Sequence, residues 1–417
     1  MTDEDLRNLY YWLSDTNLRN LPTPLRRDVE TRAVERFFLD WTLNPSNDGH
    51  SPGYLHDLPA IYATAQPESV LWHAVSAVSF AGLKDYDGGT WKAKAQESYG
   101  AALSRIRVVA EDETKLSRDR ILAALLLIDV FELFYLSRRE PLGAHKDGLK
   151  HILTLRGEKQ FLQRDQFELW RTAQQRLQVH RITYRDKPDD EQLAWIAKLN
   201  ASLPDLHVCV DVERMVVLCS AAKNIMQDLS TSSDANAISR AKELLRTMQE
   251  VIESMESWSA KLDAAWRPQR IEAPKDQTNT EATMVISHFG RTQVLHYSDP
   301  WLAYKLNFHN ASRIVLYASM VEVMEHLSNL EGKDAYQGEI AAAKAGTERL
   351  ASMVIDSSIP LLDFFPKGQP NPRGKMARRF FVICALGVVQ NARFASPEQR
   401  RTASDVLNWI DEAHRLG

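Results

Sequence analysis

Apolar side chains recur every three to four residues along nearly the whole of this chain, the spacing of helices that bury one face. Val34, Phe37, Phe38 and Trp41 fall at i, i+3, i+4 and i+7. A helix is expected from about Glu68 to Leu83, with Leu71, Ala74, Val75 and Val78 on one stripe and Pro67 at a favourable first-turn position. Another carries Tyr99, Ala102, Leu103 and Ile106, ahead of a charged connector from Glu111 to Lys115. The stretch Asp119 to Leu136 is apolar on almost every side, so it belongs at the centre of a helical layer. Its most apolar part is shorter than the roughly 20 residues of a membrane helix and contains Asp129 and Glu132. A shorter helix is expected to end at Gly157, a residue suited to a left-handed cap.

The second half repeats the style. Phe161 to Asn200 is polar but helix-favouring, with a break near Asp186 to Asp189, and Leu245, Met248, Ile252, Met255 and Leu262 trace a long amphipathic helix. Helices follow from about Asp299 to Leu327, Gly338 to Phe364, Ala377 to Phe394, and from Pro397 onward. No run of alternating β-branched residues reads as a sheet, and no short repeat is present. The pattern therefore gives an all-α fold, a multi-helix array of packed antiparallel helices without a substantial sheet. Polar, proline-containing breaks divide it into a lead-in helix over 1–30, a first helical part over 31–267, a linker over 268–281 and a C-terminal part over 282–417 that packs on the same array.

Composition narrows the class. The 417 residues are 44% hydrophobic and 25% charged, values of a chain that folds. Lys plus Arg number 51 against 55 acids, and the net charge of −4 gives no overall attraction to phosphate backbones or anionic lipid. Three scattered cysteines, Cys209, Cys219 and Cys384, suit a reducing compartment better than a disulfide framework. The acidic N-terminus MTDEDLRNLYYWLSD does not read as an export signal. A nuclear or, alternatively, cytoplasmic location follows.

Taken in order, several stretches resemble the fungal-specific transcription factor domain, the regulatory region that follows a Zn2Cys6 cluster in many fungal regulators. They are Phe37-Phe38, Tyr54-Leu55, Leu58-Pro59, Ser69 to Leu83, Ala95, Tyr99, Ala102 and Leu103, then Leu122 to Leu133, His145, Gly148 and Leu155-Arg156-Gly157. Looser matches follow at His296-Tyr297, Asp299, Ala303, Asn307, Arg313 and Ile359-Pro360. The order and spacing carry the resemblance, since each motif alone is an apolar helix with a few punctuating residues. The cluster itself is missing: a binuclear zinc site needs six thiolates in close-spaced pairs, whereas Cys209 and Cys219 are ten residues apart and Cys384 is remote. Nor does a basic stretch replace it, because Arg26-Arg27, Arg378-Arg379 and Arg400-Arg401 are isolated pairs.

Three polar residues stand out as ligand-pocket or structural positions. Asp129 projects from an apolar stripe where an unpaired carboxylate is costly, so it needs a partner: a packing ion pair on one reading, a polar anchor in a ligand pocket on the other. Glu132 and His145 occupy positions of the resemblance. His145 and His151, six apart, face different sides of a helix and form no metal-binding pair, while His309 reads as a satisfied core histidine. Trp41, Trp72, Trp91, Trp258, Trp266 and Trp301 read as core packing. No catalytic residue, metal or cofactor is assigned, and no phosphate-binding glycine loop or GxSxG elbow is present.

The resemblance implies a transcriptional regulator, or an accessory regulator without its own finger, of a fungal pathway such as a secondary-metabolite gene cluster. Its partner would be a DNA-binding regulator or the transcription machinery, with a small-molecule effector and a homo-oligomer as further options. DNA contact is expected to be indirect or weak, and membrane contact absent. The rival class is an enzyme that has turned the same helical scaffold to conversion of a reactive biosynthetic intermediate. A third reading places the finger in an exon upstream of Met1.

Overall fold

A computed structural model describes residues 23–43, 54–83, 90–116, 118–136, 145–199, 204–231, 235–272, 289–332, 335–362 and 374–416. Among these are fifteen α-helices and one two-stranded sheet, so the chain is all-α. It divides into two compact units, and the division falls inside one long helix, after Leu177; Arg373–Ala377 and Asp411–Gly417 belong to the first unit.

The first unit contains α1 (Thr23–Trp41), α2 (Tyr54–Ala63), α3 (Val70–Ala81), α4 (Thr90–Val109), the four-residue α5 (Glu113–Leu116), α6 (Asp119–Tyr135), α7 (Lys146–Arg156) and the beginning of α8 (Arg164–Tyr184). The lead-in helix expected over 1–30 lies mostly outside the described residues, and its last part is the opening of α1, continuous with the stripe of Ala33, Phe37 and Trp41. The next expected helix, placed from about Glu68 to Leu83, runs from Val70 to Ala81. Ser69 caps α3 by accepting the Trp72 N–H at 3.4 Å, which leaves Pro67 in the preceding turn. Every residue of α3 except Trp72 is buried, and α3 packs against α1, α4 and α6. Helix α6 is buried without a break from Ile121 to Glu132, as an all-round apolar helix must be. At the end of α7, Gly157 takes φ 54° and ψ −153°, a conformation essentially restricted to glycine.

The second unit contains the rest of α8, then α9 (Asp190–Lys198), α10 (Pro204–Thr231), α11 (Ala235–Ala260), β1 (Gln269–Glu272), β2 (Gln293–His296), α12 (Pro300–Glu331), α13 (Gln337–Ser358) and most of α14 (Lys375–Asn391) and α15 (Pro397–Leu416). Asp299 caps α12 by accepting the Trp301 N–H at 2.8 Å, with Pro300 in the first turn, where its missing N–H costs nothing. This helix is the centre of the unit: α10, α11 and α13 all pack on it, and it is buried on nearly every side from Trp301 to Met324. Close approach of α13 rests on Gly346, where a Cβ would meet the Tyr317 ring at 2.9 Å.

Residues 268–272, the described part of the expected linker 268–281, fall in the second unit. Residues 269–272 pair antiparallel with 293–296, Gln269 opposite His296 and Glu272 opposite Gln293. Four residues on each side are too few to leave an alternating signature in the sequence, and the outer positions of β1 are solvent-facing.

Candidate functional site

Burying α6 on all sides from Ile121 to Glu132 forces the two carboxylates of that stretch to find partners inside the unit, and each does. Asp129 Oδ2 receives both Arg176 Nε and Arg176 Nη2 at 2.7 Å, with the two side chains 5% and 7% exposed. Three residues on, Glu132 Oε1 accepts the Tyr99 hydroxyl at 2.5 Å and lies 2.9 Å from His145 Nε2. The Tyr99 ring stacks on Phe131 at 4.9 Å, which fixes the hydroxyl over the carboxylate. His145 stands at the N-cap of α7, and the far end of α7 returns to the start of α6 through Arg156 Nη1 and Asp119 Oδ1, 2.7 Å apart.

The structure therefore brings Glu132 and His145 into one cluster and gives Asp129 a separate partner one turn earlier. His151 is exposed on α7, apart from His145 as its spacing requires. Sequence reasoning had no means of finding Arg176 or Tyr99 as the partners, because both come from other helices.

A second set of buried ionic groups, which the sequence reading passed over, lies in the second unit. Glu213 of α10 accepts Gln178 Nε2 on one oxygen and Arg181 Nη1 on the other, each at 2.7 Å, and Arg181 also bonds Gln192. On the same helix Asp211, 1% exposed, faces two imidazoles: His207 Nδ1 at 3.0 Å and His309 Nε2 at 3.5 Å, both on Oδ2. Arg214 Nη1 is 3.8 Å from the other oxygen. The Trp258 ring stacks on His207 at 5.1 Å with 16° between planes and meets His309 edge-on at 4.8 Å.

His309 was expected as a satisfied core histidine. It is fully buried, but neither ring nitrogen makes a hydrogen bond, and burial holds its pKa below the ordinary value against the opposing pull of Asp211. Its polar neighbour is the Asp211 carboxylate, 3.5 Å from Nε2, and the Trp258 ring lies edge-on to it. One turn further along α12, Arg313 Nη2 reaches Glu256 Oε1 at 2.5 Å, and Arg349 Nη2 and the Tyr317 hydroxyl share that oxygen at 2.7 and 3.3 Å.

The signal for this second set was present in part. Asp211 and Glu213 interrupt the apolar stretch Val208 to Leu218 just as Asp129 interrupts its own, and His207 precedes Asp211 by one helical turn. Of the six tryptophans read as core, Trp41, Trp91, Trp266 and Trp301 are buried, while Trp72 and Trp258 are half-buried. The correction has a simple cause: an apolar stripe does not say how far along its width the neighbouring helix reaches.

Among the described residues no group of three or more His, Cys, Asp or Glu is placed to hold a metal ion. No described helix is long and apolar enough to cross a membrane. Fold and buried polar clusters together define an all-α helical array with ionic clamps between helices. No family model, no curated protein and no solved structure matches the chain.

Proposed function

We propose that the chain is a regulator of transcription that works without a DNA-binding finger of its own, in a fungal pathway such as a secondary-metabolite gene cluster. One observation carries the reading. The residues by which the sequence resembles the fungal-specific transcription factor domain are not scattered: Tyr99, Glu132 and His145 meet at a single carboxylate oxygen, and Arg156 closes α7 back on α6. The all-α class is also the one the resemblance implies. Such an array acts by receiving a signal, from a small molecule or a partner regulator, that favours one helix packing over another and so changes affinity for a second protein. Cys209, Cys219 and Cys384 do not make a zinc cluster, and the route to DNA in this reading is a DNA-binding partner in the nucleus.

Deleting the gene and measuring transcripts of its neighbours tests this directly. Loss of those transcripts is the expected result. Unchanged transcripts together with altered metabolites would overturn it.

A further inference from the structure

His207 is arranged differently from a histidine that merely fills space. Its Nδ1 lies 3.0 Å from a carboxylate that is 1% exposed, and a carboxylate only accepts, so Nδ1 carries a proton and Nε2 is the nitrogen turned away from Asp211. The ring itself is 29% exposed, and among the described residues Nε2 has no hydrogen-bond partner. Its plane is fixed by the Trp258 ring stacked on it. Behind it, the second imidazole on the same oxygen, His309, is fully buried and has no hydrogen bond at either nitrogen. The cluster therefore has the parts of a proton-accepting site: an accessible imidazole, a buried carboxylate that orients it, and an aromatic ring that fixes its plane.

We propose that His207 is a general base, positioned by Asp211 and Trp258, that removes a proton from a weakly acidic organic molecule such as an enolisable or aromatic C–H acid. In this step the substrate C–H bond breaks, its electron pair stays with the substrate, and the proton goes to Nε2. The imidazolium so formed faces Asp211 and later releases the proton to water. The charged groups that face the two imidazoles are Asp211 of α10, which pairs with both and lies 3.8 Å from Arg214, and Arg313 of α12, whose charge acts on His309 and is itself paired with Glu256 of α11. This inference stands apart from the regulatory reading, because its test uses purified protein and no transcription.

The probe is 5-nitrobenzisoxazole. A base removes its ring C–H proton, the electron pair forms a nitrile, and the N–O bond breaks to release a coloured phenolate. The full-length protein is expected to exceed free imidazole at equal concentration by at least about tenfold, the low side of what a positioned base contributes. H207A and H207Q should both bring the rate down to the buffer background, below that of free imidazole at equal concentration. D211N should lower kcat and move the midpoint of its pH profile to lower pH, since the imidazolium loses its carboxylate, and D211E should restore part of both. A purely structural Asp211 would change the amount of folded protein and leave the midpoint in place. Nitrogen-15 NMR of the wild-type chain provides the independent check: His207 must show the Nδ1–H tautomer at neutral pH. A wild-type rate equal to free imidazole, an unchanged rate in H207Q or an Nε2–H tautomer overturns the proposal.

Discussion

Replacing Arg176 by Met tests whether α6 is held in place by its ionic clamp. Two guanidinium nitrogens stand 2.7 Å from Asp129 Oδ2, and both side chains are less than a tenth exposed. At that separation the gross attraction is about 6 kcal/mol for an effective dielectric near 20. Much of it offsets the desolvation of the two ions, so the intact pair contributes little net stability. Removing one partner is another matter, because the carboxylate stays buried on a helix that cannot turn it toward water. The expected loss is about 3–5 kcal/mol, or a fall of roughly 6–20 °C in the Tm of a unit of this size.

D129N/R176M, which has no charge to bury, should recover at least about half of the loss. The measurement is urea unfolding followed by circular dichroism at pH 7 for wild type, both single variants and the double variant. A loss in R176M below about 1 kcal/mol, or no recovery in the double variant, would refute the clamp.

Four further outcomes follow from the same geometry. Gly157→Ala puts a Cβ into open space but into a backbone conformation that side chains avoid, so it should cost about 1–3 kcal/mol of stability with no change in packing, read by thermal unfolding. Gly346→Ala pushes a methyl group against the Tyr317 ring and should cost about 1–3 kcal/mol, with a crystal structure showing Tyr317 displaced. His309 has a lowered folded pKa, so the folded state binds fewer protons than the unfolded state, and stability complete above about pH 6.5 is lost as pH falls from there toward the lowered value. H309N should flatten that slope by up to about 1.4 kcal/mol per pH unit, with His73 and His296, lowered in the same direction by burial, accounting for slope that remains. Cys219 is buried and its thiol is pushed up to about 11, so at pH 8 it should resist thiol reagents until urea unfolds the chain, whereas early labelling of Cys219 would show that α10 opens locally.

Helix positions were legible because they rest on local information. A stripe of apolar residues repeating at 3.6 records which face is buried, and the breaks at Gly157, Asp186 to Asp189 and Pro397 coincide with observed ends. The ends that moved did so for capping reasons: Ser69 starts α3 after Pro67, and α13 stops at Ser358, giving way to a short 3₁₀ turn over Ile359–Leu361 ahead of the expected Phe364. The small sheet was not legible, because four residues of strand carry no period long enough to read.

The candidate site divides along the same line. Asp129 was known from the sequence to need a partner, since a carboxylate on an apolar stripe cannot be left unpaired, and the same logic applied to Asp211 and Glu213 would have marked the second unit. Which groups answer them was decided by the tertiary structure. Arg176 is 47 residues from Asp129, and His309 and Trp258 come from two different helices to meet on α10. Burial demand is a property of one helix and is written in its own residues. The supply of a counter-charge, a tautomer-fixing carboxylate or a stacked ring depends on which helices pack together, and that choice is made by the whole core at once.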